Sequence, residues 1–345
     1  MSVPTHAFAL VQKQDGYSGT SEGPAIDDIG RYVEAADIVL PQLTDGQVLI
    51  KMAMASINPS DLHFIKGEYG QPRRSGAAAG FEGVGEVISG NGDYAQSLIG
   101  KRVAFTVNPE GSGAWSEYAI TLARICIPVR DDMRDEDAAA HVVNPMTAMA
   151  MFDIVRKAET GSFIMTAANS QLCKLISVLG HEHNIPAISV VRKETQIAHL
   201  KELGAKHVLN SSAADFSAAL KGVIREEKPR IMLDAVGNQL SADIFFAMPN
   251  RSRWVVYGKL DTTPPRLGEM GQFVFMEKRI EGFWLTRWFM STPPEEQMRV
   301  VGEVQERFVS GKWKTEVTAT IRLRDAMTDL TQALHNPDGK IMLVP

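Results

Sequence analysis

Cysteine is scarce: Cys126 and Cys173 are the only two in 345 residues. Two thiols cannot build a disulfide framework or a four-thiolate zinc site, and they fit a reducing, cytoplasmic setting. A strong charge of one sign is also lacking. Lys and Arg number 36 against 41 Asp and Glu, a formal net charge of −5. That speaks against a nucleic-acid partner, which calls for a basic face, and against a polybasic membrane-surface protein. No uninterrupted apolar run reaches about 18 residues, so no membrane span is expected. Met1–His6 shows no basic stretch leading into an apolar one, so no signal peptide is expected. H-E-x-x-H and paired C-x-x-C are absent as well. What is there is an ordinary globular mixture, 44% hydrophobic and 22% charged. At about 150 residues per domain the length implies about two domains. The expectation is a soluble enzyme or small-molecule binder inside the cell.

The first third reads as β. Short apolar segments bounded by Gly, Pro and Asp occur at 6–12, 33–40, 48–56, 83–89, 102–107 and 115–120. Their density predicts a barrel or sandwich. A helix of a turn or two is predicted at 59–66, with Pro59 early in it, and a long hairpin loop at 13–31. After residue 130 the pattern changes. An Ala/Met-rich helical stretch covers 138–157, with Pro145 predicted to split it. Strands then alternate with helices: 162–167, 187–191, 207–209, 231–235, 253–257 and 280–285, with helices at 171–183, 194–203 and 213–226. That alternation predicts a doubly wound parallel sheet. Past Pro293-Pro294 come a helix (295–310), a strand (317–321), a helix (324–335) and a last strand (340–344). These end pieces are predicted to rejoin the first part. One domain is then 1–130 with 294–345, and the other 131–293.

Chemistry is concentrated at a few places. The turn after the strand 162–167 reads Ala168-Asn169-Ser170-Gln171-Leu172-Cys173 and runs into a helix. A dinucleotide-binding sheet places its phosphate turn there, with backbone N–H groups of the helix start on the pyrophosphate. The usual glycines are missing, so a plain connection with Ser170 as N-cap stays open. The next strand ends in Arg192-Lys193. Two cations where an NAD site wants a carboxylate favour the 2′-phosphate of NADPH. His181-Glu182-His183 lies in a polar connector and reads as solvated, with no metal assigned. Gly80-Phe81-Glu82-Gly83-Val84-Gly85 precedes a strand, so it reads as tight packing or a bulge. Tyr69, between Gly67 and Gly70, either projects a phenol that can donate a proton near neutral pH or packs its ring on the barrel wall.

Several segments together resemble the medium-chain dehydrogenase/reductase superfamily. Ser56-Ile57-Asn58-Pro59-Ser60-Asp61 resembles that family's Asn-Pro-x-Asp helix start, and 80–85 its Gly-His-Glu segment. Phe81 stands in the His slot, and the ligand Cys is absent from 56–61. The sequence thus resembles the zinc-free branch of 2-enoyl thioester reductases and quinone reductases. Asn144-Pro145-Met146-Thr147-Ala148 resembles the nicotinamide-side motif, and Val190-Val191-Arg192 the strand end that meets the 2′-phosphate. Tyr257-Gly258 and Gly282-Phe283-Trp284-Leu285-Thr286-Arg287-Trp288 resemble enoyl reductase strand ends. The resemblance implies a GroES-like β-barrel catalytic domain and a Rossmann-type sheet. It implies NADPH as cofactor and a small-molecule substrate with an activated C=C bond, as well as a homodimer. Tyr69 becomes the proton donor and enolate stabiliser, and Asn58 orients substrate or nicotinamide. Asn144, Thr147, Asn169, Ser170, Gln171, Leu172, Arg192, Lys193, Tyr257, Gly258, Phe283 and Trp284 become the cofactor side. Quinone reduction is the alternative activity. A nucleotide-binding but idle sensor is the alternative class, suggested by Gln171 and Cys173 in glycine slots.

Overall fold

The computed structural model describes residues 3–107, 112–335 and 339–345; Met1 and Ser2 lie outside them. The chain divides into two compact units, residues 1–144 with 301–345, and residues 145–300.

In the first unit β1 (His6–Gln12) and β2 (Val33–Val39) form an antiparallel pair around the long loop. The next strand, β3 (Gln47–Ile57), is the spine of the main sheet. On one side it pairs with β4 (Glu82–Gly90). Helix α1 (Pro59–Ile65) lies between these two strands in sequence. After α2 (Asp93–Ser97), β5 (Arg102–Thr106), β6 (Tyr118–Leu122) and β7 (Cys126–Pro128) follow, then α3 (Asp135–Ala139). β6 takes residues 47–51 of the other side of β3. Trp115 stays outside the strand predicted at 115–120, because its ring is fully buried against Gly80. The register of β3 against β4 shifts twice, and Gly85, beside the second shift, has no room for a side chain: a Cβ on it would lie 2.2 Å from the carbonyl oxygen of Lys51. Leu10, Ile50, Val103, Phe105 and Trp115 are among the side chains that fill the core.

Helix α4 (Val143–Lys157) starts at the end of the first unit. The helical stretch does break, but at Ala140–Val142 and not at Pro145. Pro145 sits in the first turn of α4, where its missing N–H has no intrahelical acceptor to lose.

The second unit carries β8 (Phe163–Met165), α5 (Gln171–Glu182), β9 (Ala187–Val191), α6 (Ile197–Glu202), β10 (His207–Asn210), α7 (Phe216–Glu227), β11 (Ile231–Asp234), α8 (Gln239–Ala247), β12 (Arg253–Val256), α9 (Gly271–Phe275), β13 (Arg279–Gly282) and α10 (Leu285–Ser291). All six strands are parallel, in the order β10-β9-β8-β11-β12-β13. In unit order this is 3-2-1-4-5-6, the doubly wound dinucleotide-binding arrangement. β8 and β9 are fully buried, as a sheet covered on both faces requires.

Helix α11 (Pro294–Val309) leads back into the first unit. There β14 (Val317–Arg322), α12 (Ala326–Leu334) and β15 (Lys340–Val344) complete the main sheet. β15 pairs antiparallel with residues 55–57 of β3, so the end pieces rejoin the first part as the sequence predicts. No helix among the described residues is long and apolar enough to cross a membrane.

Candidate active site

In an open parallel sheet, ligands bind outside the carboxyl ends of the strands where the strand order reverses. Here that point lies between β8 and β11. Apart from Thr147 on α4, the sequence-selected residues of the second unit sit at carboxyl ends of this one sheet: 169–172 after β8, Arg192-Lys193 after β9, Tyr257-Gly258 after β12, and Phe283-Trp284 after β13.

The switch point is organised by a residue that sequence reading passed over. Asp234, fully buried at the end of β11, accepts from the Thr166 hydroxyl, from Ser241 Oγ at 2.9 Å and from the Trp254 indole at 2.8 Å. It also accepts from the amides of Val236 and Gly237. Thr166 in turn accepts from Ala235 N at 3.1 Å. The two central strand ends are thereby locked together. The signal in the sequence was an Asp closing an apolar strand just before Ala-Val-Gly.

Ser170 is the N-cap of α5, its hydroxyl accepting from Cys173 N at 3.3 Å. Ala167 holds the turn in the left-handed region at φ 47°. Cys173 is fully buried, with Sγ 3.3 Å from the Tyr257 hydroxyl. Burial, with Cys173 alongside, raises the Tyr257 phenol well above its usual value. So the two side chains in and against this turn, Cys173 and Tyr257, pack on each other. Leu172 is buried, while Asn169, Ser170 and Gln171 are half-buried. Arg192 and Lys193 are exposed, as a 2′-phosphate clamp requires. Gly258 lies against Ala235, whose carbonyl oxygen would be 2.9 Å from a Cβ there. Phe283 and Trp284 are half-buried, and Trp284 opens α10.

In the first unit Asn58 is 1% exposed and fully engaged by protein partners. Its Nδ2 donates to Glu82 Oε1 at 2.9 Å and to Ser56 Oγ at 3.3 Å, and its Oδ1 accepts from the Lys340 ammonium. Ser56 Oγ donates to Glu82 Oε1 at 2.6 Å. Glu82 Oε2 accepts from Val142 N at 3.1 Å and Val143 N at 2.7 Å. A carboxylate thus sits at the start of α4, where the helix dipole favours it. Asn144 and Thr147 follow one turn apart on that helix, half-buried and buried respectively. Asp61 accepts from Asn58 N and Phe81 N, each at 2.7 Å. Burial pushes its carboxyl up to about 7, against the pull of those N–H groups. The Asn58 side chain is thus held between Glu82, Ser56 and Lys340.

Tyr69 is half-buried and packs its ring on Phe81 at 5.1 Å and edge-on to Phe64 at 6.5 Å. The turn that carries it is braced from the 13–31 loop. Glu68 accepts from Thr20 Oγ1, Glu22 N and Gly23 N, and the buried Arg73 donates to the carbonyls of Gly16 and Ile65. Burial alone would raise the Glu68 carboxyl; these hydrogen bonds outweigh it and hold it below its usual value.

The residues of this region do not fit a zinc ion. Phe81 offers a ring, and both Glu82 oxygens already accept hydrogen bonds. His181, Glu182 and His183 are exposed. Among the described residues a metal-capable trio occurs at His207, Glu226 and Glu227, where Glu227 is already paired with Lys206 at 2.6 Å.

Residues 44–131 match the family described as alcohol dehydrogenase GroES-like domain, and residues 171–301 the one described as zinc-binding dehydrogenase. A crystal structure from Mesorhizobium loti, of a protein provisionally named NADPH:quinone reductase, is 48% identical, with full coverage of both chains and a TM-score of 0.97. The chain belongs to the medium-chain dehydrogenase/reductase superfamily. It is an oxidoreductase, with the GroES-like and Rossmann-type parts of that superfamily. Another superfamily member, the mitochondrial enoyl-[acyl-carrier-protein] reductase of Rattus norvegicus, is 28% identical over 303 residues, 86% of this chain and 77% of that protein. The fold is shared with the Candida tropicalis mitochondrial 2-enoyl thioester reductase heterodimer, 23% identical with a TM-score of 0.80, covering 99% of this chain and all of that one.

Proposed function

We propose that this chain uses NADPH to reduce an activated C=C bond of a small α,β-unsaturated carbonyl compound or thioester, without zinc. The observation that carries the reading is the sheet order 3-2-1-4-5-6 with an exposed Arg192-Lys193 pair at the carboxyl end of β9. Bound NADPH supplies a hydride. Arg192 and Lys193 hold the 2′-phosphate. The first-turn N–H groups of α5, from Gln171 and Leu172, hold the pyrophosphate beside Asn169 and Ser170. Tyr257, Gly258, Phe283 and Trp284 line the cofactor's bed, and Asn144 and Thr147 flank the nicotinamide ribose. When hydride reaches the β-carbon, charge builds on the carbonyl oxygen. Tyr69 donates a hydrogen bond to that oxygen and can then supply the proton. Asn58 acts behind them by linking Glu82 to Lys340. The family relationship to an enoyl reductase and the NADP held by an enoyl thioester reductase of the same fold support this reading.

Quinone reduction is the second reading, favoured by the 48% identical neighbour's provisional name. Turnover of NADPH with crotonyl-CoA and with 1,4-naphthoquinone separates the two. NADPH binding with no turnover of either establishes the idle sensor instead. We further propose a homodimer, supported by the exposed edge strand β13 with Val274 and Phe275 exposed nearby in sequence. The buried, unpaired Cys126 and Cys173 support the cytoplasm as its compartment.

The phosphate clamp has its own test. Arg192→Ala should weaken NADPH binding by about tenfold, the worth of one charge-assisted hydrogen bond to phosphate, and leave NADH binding unchanged. Equal NADH and NADPH affinities in the unsubstituted chain, by fluorescence titration, would rule the clamp out.

A further inference from the structure

The buried network of the first unit contains one ammonium and two carboxylates. Lys340, the first residue of β15, is 5% exposed, while Glu82 and Asp61 are fully buried. Glu82 receives four donated hydrogen bonds, from Asn58, Ser56, Val142 and Val143. A carboxyl group that only accepts is the ionised one. A buried carboxylate is tolerated only with a compensating charge. Lys340 supplies it, through Asn58 Oδ1; burial pulls the ammonium below its usual range, and the two carboxylates oppose that pull.

We propose that Lys340 is a positioning residue: its ammonium balances Glu82 and Asp61, and so fixes the backbone of two segments, Gly80–Gly83 and Val142–Asn144. The first segment carries Phe81, on which Tyr69 packs, and its Phe81 N–H ends on Asp61. The second opens α4, and its N–H groups end on Glu82. The balance is incomplete, since one cation faces two acids. Burial pushes Asp61 up to about 7, with Glu82 from β4 adding to the shift and the Asn58 N–H and Lys340 from β15 opposing it. Lys340 contributes to turnover only if the reading of Tyr69 and Asn144 above is right, but its hold on the two segments does not depend on that reading.

Hydrogen exchange of the full chain, read by mass spectrometry, tests the hold. Lys340→Met should speed exchange at least tenfold in 80–83 and 142–144, and less than twofold in 163–191. The double variant Lys340→Met/Glu82→Gln removes one charge of each sign and should recover at least half of the loss in thermal midpoint, because the network regains the net charge it has in the wild-type chain. With crotonyl-CoA or 1,4-naphthoquinone as probe, Lys340→Met should lower kcat at least tenfold and leave KM for NADPH within threefold. Unchanged exchange in the two segments, or a uniform rise along the chain, overturns the proposal. So does a double variant whose losses simply add. Should Lys340→Met fail to fold, a folded double variant supports the proposal, and an unfolded one beside a folded Glu82→Gln overturns it. If the wild-type chain reduces neither probe, the functional reading falls and the exchange pattern still decides the role of Lys340.

Discussion

Tyr69 keeps its ring against Phe81 and Phe64, so its hydroxyl can be removed without disturbing the packing. Tyr69→Phe should lower kcat by about a hundredfold, the order expected for losing a donor to a developing oxyanion, with the thermal midpoint unchanged. An unaltered rate in steady-state kinetics would take Tyr69 out of the chemistry. His141 gives a prediction of another kind. It is fully buried at the break before α4, with a ring 6.3 Å from that of Phe308. Burial brings it down to about 4, with Asp137 opposing the shift. The unfolded chain takes up that proton at about 6.5, so stability is whole above pH 6.5 and falls as pH drops toward 4. The ceiling of the loss is about 3 kcal/mol. Urea midpoints at pH 7.5 and 5 should therefore differ, and the difference should shrink in His141→Leu.

Among the elements, the turn at Gly80 is the most exposed to a small change. Its φ is +91°, and a Cβ would stand 2.2 Å from Cδ1 of the buried Trp115. Gly80→Ala meets both a left-handed backbone and a ring that has nowhere to go. A loss of about 2–4 kcal/mol is expected, measurable as a lowered urea midpoint, and a midpoint within error of wild type would mean that the indole can move. The glycines of 80–85 were legible as packing positions because a glycine cluster opening an apolar strand has few other uses. The parallel strands were legible too, since short buried runs such as Ala187–Val191 and Ile231–Asp234 are rich in apolar residues and alternate with helical stretches. Pro145 misled because a proline inside a helical pattern looks the same whether it breaks a helix or opens one. Helix α8 escaped prediction: its nine residues lie between two strands in a sequence without a clear polar face. The Asn58 network could not be read at all. Lys340 is 282 residues from Asn58, and nothing local marks a lysine as buried.

For the whole molecule, the proposed homodimer turns on the open edge of the six-stranded sheet. β13 pairs only with β12 among the described residues, and Ile280 within it is 38% exposed. Charge blunts such an edge, but of the two charged residues on β13, Arg279 and Glu281, Glu281 is already paired with Arg253 of β12. Sedimentation should give twice the mass of one chain, and Ile280→Lys should shift it toward one chain. A wild-type chain of single mass would dispose of the edge-pairing idea. The division into units has a consequence for the order of events during synthesis. Residues 145–300 are contiguous, with their strands close in sequence, so this unit can fold while the chain is still growing. The strand opened by Lys340 zips onto residues 55–57 only after the whole stretch between them has been made. Until then Glu82 and Asp61 must wait in water for their counter-ion.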